Sequence, residues 1–225
     1  MPKITFKFHW SFIVLGILFA VFGKFVQFLC YVITILIHEL GHYFMAKKFG
    51  YNLNTITFMP YGAGISGKNI KVSEKHEFLI AIAGPLVNFA MILLIIGINH
   101  IGFDNHILHQ MLLCNTSTLF FNLLPVYPLD GGRCVLILIR RKVNDFVAFK
   151  IIKLIGIVIT GSFFALFFIS YFYSLNYMLG INGIFLFIGL MEDDSPIYYF
   201  KIKQILAKKN ILTTSGEQTY KLSCK

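Results

Sequence analysis

The chain has 225 residues, 57% hydrophobic and only 13% charged, with 25 phenylalanines and a formal net charge of +10. Soluble domains carry about 45–50% apolar and about 25% charged residues, so this composition excludes an ordinary soluble globule and points to an integral membrane protein. Most of the chain is committed to the bilayer, leaving room for one membrane domain, and four cysteines (Cys30, Cys114, Cys134, Cys224) without CxxC or regular spacing indicate no disulfide framework.

Lys3 and Lys7 followed by an apolar run from Phe12 imitate a signal peptide, but no small-residue cleavage site follows. Trp10 to Gly23 is therefore predicted as a first, short transmembrane helix, spans usually needing about 17–25 residues. A turn at Gly23 and Lys24 leads into a second helix, Phe25 to Lys47, uncharged as far as Ile37. Then comes His38-Glu39-Leu40-Gly41-His42. Positions four apart share a helix face, so both imidazoles can reach one metal ion, with Glu39 beside them to take a proton from metal-bound water. The alternative, a satisfied histidine pair in a polar seam, leaves an acid in an apolar segment unexplained. At a rise of about 1.5 Å per residue, His42 lies only about 7–8 Å from Lys47, inside the membrane boundary but close to one surface.

Residues 52–67 change character. Thr55 to Phe58 reads as a short strand, and Pro60 with Gly62, Gly64 and Gly67 brings turns, which predicts a hairpin or a membrane-dipping loop. The GxGxxG spacing over 62–67 lacks the strand, helix and acid of a dinucleotide site. After a charged linker, Phe78 to Ile98 is the third predicted span, interrupted by Gly84-Pro85 and Asn88, a polar kink that either packs or faces the metal.

Ile107 to Leu124 is the fourth, polar from Asn115 to Thr118 and at Asn122. It ends in Leu-Pro125-Val-Tyr-Pro128-Leu-Asp130-Gly131-Gly132-Arg133, where two prolines preclude a regular helix. Asp130 reads either as a helix N-cap or, more economically, as the third ligand of a catalytic zinc, at the same membrane boundary as His42. Arg133 to Lys153 is basic; Leu154 to Met191 carries no charge and divides near 174–176 into two spans. Residues 196–225 form a basic tail with a surface helix expected around Tyr198 to Lys209.

The expected fold is thus an all-α polytopic membrane protein: six transmembrane helices with a short membrane-associated β-hairpin or loop after the second. This layout puts all but Lys24 of the 20 Lys and Arg on one side, which places both termini and the metal end in the cytoplasm. The basic charge is then topological, and nucleic acid is not an expected partner.

His38-Glu39-Leu40-Gly41-His42, Gly84-Pro85-Leu86-Val87-Asn88 and the run from Asn122 to Gly132 together make the chain resemble the site-2 protease family of intramembrane metalloproteases over roughly residues 1–195. Within it the layout is most similar to the stage IV sporulation protein FB branch, which processes the pro-form of a sigma factor. The resemblance implies one Zn2+ per chain held by His38, His42 and Asp130, with Glu39 as general base. It also implies a role for Asn122 in positioning substrate or stabilising an oxyanion. The expected partner is a membrane-associated or membrane-spanning protein substrate cleaved near the cytoplasmic face, in a bacterial cell membrane, with room for membrane-bound regulators or inhibitors. Two rivals are a transmembrane metal transporter, in which Glu39 has no protonic role, and an inactive scaffold, which tolerates loss of Glu39.

Overall fold

The computed structural model describes residues 5–8, 16–17, 19–51, 55–59, 62–66, 72–103, 105–170, 172 and 177–192. In chain order the elements are β1 (Thr5–Phe8), α1 (Phe25–Lys48), β2 (Thr55–Met59), β3 (Gly62–Ser66), α2 (Glu74–His100), α3 (His106–Leu123), α4 (Asp130–Arg140), α5 (Asp145–Ser170) and α6 (Tyr177–Glu192). The tail over 196–225, with its expected helix, and the turn at 174–176 lie outside the described residues.

The helices begin and end where local chemistry dictates. Gly23 and Gly102, at φ of 67° and 96°, supply the left-handed turns before α1 and after α2. Ser73 caps α2 by accepting from the His76 amide, Asn105 caps α3 through Ile107, and Asn144 accepts from Val147 at the start of α5. Lys47 and Lys48 close the last turn of α1, favourable for the dipole.

The molecule is a multi-pass membrane protein, but the six-span, all-α expectation is corrected. Among the described residues, three helices are long and apolar enough to cross a membrane, namely α1, α2 and α5. Their 24, 27 and 26 residues exceed the hydrocarbon thickness of about 30 Å at about 1.5 Å per residue. The reasons for the difference are local. Helix α3 is continuous but carries amides and hydroxyls at residues 115–118 that lower its hydropathy, and the apolar stretch of α6, Leu179–Met191, is short. Only residues 16–17 and 19–21 of the first expected span are described as helical. The chain is not all-helical either. Strands β1, β2 and β3 form one sheet in that order, β1 parallel to β2 (Thr5 opposite Thr55) and β2 antiparallel to β3 (Thr55 opposite Ser66). Where a hairpin or loop after α1 was expected, the N-terminal strand joins as a third member.

Helices α1, α2 and α3 pack on one another, α5 pairs with α6, and α4 touches α2, α3 and α5, joining the two groups; β3 runs against α1. The packing is inverted relative to a soluble protein. Leu29, Ile33, Leu40 and Phe44 of α1 face outward, while Cys30, Thr34, His38, His42 and Ala46, at four-residue spacing, are buried. Apolar surface gains nothing by leaving lipid, so polar side chains occupy the interior, where they find partners. Beneath α4 and α5, Leu136, Phe149 and Ile152 form an apolar cluster. A second cluster sets Val126 of the α3–α4 connection against Leu186 and Leu190 of α6.

Candidate metal centre

Two close approaches bring the site together. Gly41 and Gly84 let α1 and α2 meet: a Cβ at Gly41 falls 2.8 Å from the Ala83 carbonyl oxygen, and one at Gly84 overlaps the His42 ring at Nε2. Gly131 and Gly132 do the same for the connection between α3 and α4. A side chain at either overlaps the backbone of Leu123 or Val126, so only glycine lets residues 123–129 fold back over the start of α4. That connection, with a cis Tyr127–Pro128 bond, delivers Asp130 as the first residue of α4. Leu129 is the cap residue and Asp130 makes no capping bond, so the N-cap alternative does not describe it.

His38, His42 and Asp130 converge. The Asp130 Oδ2 lies 3.0 Å from His38 Nε2 and 3.2 Å from His42 Nε2, and the two Nε2 atoms are 3.1 Å apart. All three residues are buried. His42 Nδ1 donates to the Ile80 carbonyl at 2.7 Å, which leaves the lone pair of its Nε2 facing the triangle. Burial alone would raise the Asp130 carboxyl, yet the imidazoles beside it outweigh that effect and hold it well below the usual carboxylate range. The centre therefore presents an anion and imidazole nitrogens crowded within hydrogen-bond distance, an arrangement a cation satisfies.

Zinc fits this donor set. With metal–ligand bonds of about 2.0–2.2 Å, the edge of a tetrahedron is about 3.3–3.6 Å, a few tenths of an ångström longer than the three separations found here. Three protein ligands leave a fourth position for water or substrate, the pattern of catalytic zinc. No other group of three His, Cys, Asp or Glu with such convergence occurs among the described residues.

Glu39, 5% exposed, stands next to His38 within electrostatic reach of His38, His42, Asp130 and Arg133. Asn122 is half-buried in the last turn of α3, and its Nδ2 donates to the Thr118 carbonyl at 3.1 Å. Sequence reasoning missed two participants. Gly84 was noted only as part of a kink, whereas its bare Cα makes room for both imidazoles. The Ile80 carbonyl that orients His42 is a backbone group and leaves no signature in the sequence.

Residues 26–104 and 98–168 match peptidase family M50. Over 194 residues, 84% of this chain and 55% of the relative, the sequence is 30% identical to a zinc metalloprotease of Methanocaldococcus jannaschii. Over 146 residues, 60% of this chain and 46% of the relative, it is 32% identical to stage IV sporulation protein FB of Bacillus subtilis. The chain thus spans about half the length of these curated relatives. Its fold is similar to the site-2 protease from Methanocaldococcus jannaschii, with a TM-score of 0.70 and 25% identity over 86% of this chain and 92% of that one. The matched residues contain the histidine pair, the glycines that seat it and the connection that brings Asp130 to it, and on that ground the chain belongs to peptidase family M50.

Proposed function

We propose that the protein is a zinc-dependent intramembrane endopeptidase that cleaves a membrane-associated or membrane-spanning protein near the cytoplasmic face. The observation that carries this reading is the buried triangle of His38, His42 and Asp130 with Glu39 beside it on a membrane-crossing helix. Zinc, when bound, supplies Lewis acidity that polarises a peptide carbonyl and activates water. His38, His42 and Asp130 hold it. Glu39 accepts the proton of the attacking water and returns it to the leaving amine. Asn122 uses the amide hydrogen not engaged by Thr118 to position the substrate carbonyl.

Peptide carbonyls in a closed helix are hydrogen-bonded and covered, so the substrate must unwind locally. The outer edge of β3, which lies beside α1, offers backbone groups to receive an extended stretch by strand addition. Lys47 and Lys48 close α1 at the metal end, and Arg133, Arg140, Arg141 and Lys142 lie on and after α4, whereas Lys24 alone stands at the turn that opens α1. That asymmetry favours a cytoplasmic metal end. Likeness to the sporulation branch makes the pro-form of a sigma factor the first substrate to test, and residues 196–225 act as a basic cytoplasmic tail to the membrane domain.

The test is cleavage of a membrane-spanning substrate in liposomes by wild type and Glu39→Gln at matched zinc content. Glutamine keeps the size but cannot accept the proton, so turnover falls about 10²-fold or more while zinc stays bound. Equal rates would refute the assignment. Absence of zinc-dependent cleavage by wild type across a panel that includes a sigma-factor pro-form would favour a scaffold, and zinc flux undiminished by Glu39→Gln would favour a transporter.

A further inference from the structure

On the side of the histidine pair away from Lys47, α1, α2 and α3 enclose a layer of polar groups that binding of the metal by His38, His42 and Asp130 leaves unused. Thr34, Asn88 and Asn115 are wholly buried, and His38 and Thr118 nearly so. Asn115 Nδ2 donates to Thr34 Oγ1 at 3.3 Å and to the Met111 carbonyl at 2.8 Å. His38 Nδ1, both polar atoms of the Asn88 amide, Asn115 Oδ1 and Thr118 Oγ1 have no hydrogen-bond partner among the described residues.

These atoms belong to one level of the bundle. Thr34 stands one turn before His38 on the same face of α1. Asn88 stands one turn beyond Gly84, whose Cβ position is 2.7 Å from His38 Cε1, so α2 passes against the His38 ring at this level. Asn115 is tied to Thr34, and Thr118 follows on the next turn of α3. So many polar atoms buried dry are costly, whereas ordered water in a polar interior makes about three hydrogen bonds. An imidazole that binds metal nearly always donates its other N–H to a carboxylate, a carbonyl or water. His42 Nδ1 has the Ile80 carbonyl; His38 Nδ1 has no acceptor among the described residues.

We propose that Thr34, Asn88, Asn115 and Thr118 form a hydration site holding a small water cluster behind the zinc ligands, and that one of these waters accepts the Nδ1 hydrogen of His38. The inference rests on the zinc reading of His38, His42 and Asp130 and is independent of peptidase activity. It makes Asn88 a positioning residue that acts on the metal through solvent. Volume and polarity at position 88 then work in opposite senses. Asn88→Ala removes the amide but leaves room for further water, whereas Asn88→Leu keeps the volume and expels it. A residue that merely packs predicts the reverse order, because conserving apolar volume is better tolerated than opening a cavity.

The experiment measures zinc affinity of the purified full chain by chelator competition, together with the visible spectrum of the cobalt-substituted protein. Wild type, Asn88→Ala, Asn88→Leu and the near-isosteric Thr118→Val are compared. Asn88→Ala should stay within about threefold of wild type, and Asn88→Leu should bind about 10–100-fold more weakly with a shifted cobalt spectrum. Thr118→Val, which removes a single oxygen with the least steric change, should weaken binding severalfold and decides the matter if Asn88→Leu does not fold. Tight zinc binding by wild type with unchanged affinity in Thr118→Val, or with Asn88→Leu at least as tight as Asn88→Ala, overturns the hydration site alone. A wild type that binds no zinc overturns both this inference and the metal reading beneath it.

Discussion

Replacing Gly84 by alanine adds one methyl group where α2 presses on the two imidazoles. The new Cβ stands 2.6 Å from His42 Cε1 and 2.7 Å from His38 Cε1, and overlaps His42 Nε2. Carbon atoms in contact prefer about 3.5–4.0 Å, so one partner must give way by about 1 Å. Metal–ligand bonds tolerate about 0.2 Å, so rings displaced by that much no longer bind with Asp130. If α2 yields instead, overpacking costs about 1–3 kcal/mol. Converted at about 1.4 kcal/mol per tenfold, that strain weakens zinc binding by about 5- to 140-fold. Chelator competition on the purified variant measures this. Gly97→Ala is the control: it lies on the same helix, no atom is within 4 Å of its Cβ position, and alanine improves helix propensity by up to about 1 kcal/mol. Zinc affinity and cleavage equal to wild type in Gly84→Ala would refute the claim that this contact seats the ligands.

Asp130→Ala leaves two imidazoles, and zinc per chain should fall from one to well below one by elemental analysis; full retention of tightly bound metal would remove Asp130 from the centre. Cysteines placed at Lys24 and Lys48, the two ends of α1, in a chain lacking the native thiols should react from opposite faces, Lys48→Cys from the cytoplasm, and labelling of both from one side would contradict α1 as a crossing helix.

The part of the site legible in the sequence is the part written in short range. His38 and His42 declare themselves because the helical repeat fixes their relation within one turn, whatever the rest of the chain does. Asp130 is nearly as legible, since prolines and glycines mark the place where α3 must stop and the backbone must double back. Gly84 was not, because a missing side chain signals only when its neighbour is known, and that neighbour is a ring on another helix. The pairing of Thr5–Phe8 with Thr55–Phe58 was hidden for a related reason: parallel strands need a long crossover, and nothing local to either strand names its partner. Span boundaries were misread where hydropathy and helix diverge. Helix α5 begins at Asp145, well before the uncharged run at Leu154, because Asn144 caps it and Lys150 and Lys153 continue the same helix.

The wide separation of the ligands along the chain sets the order in which the centre can come into being. Two imidazoles arrive on α1, while the carboxylate follows 92 positions after His38. A chain emerging from the ribosome and entering the membrane N-terminus first thus carries its histidines through 92 further residues of its 225 without the group that completes the triangle. The last ligand is held by Gly131 and Gly132 against the end of α3, and Val126 beside it packs under α6, so capture of the metal coincides with docking of the C-terminal helices. Completion of the three-ligand centre is thereby a consequence of finished assembly, and a half-inserted chain carries two imidazoles without the carboxylate that joins them.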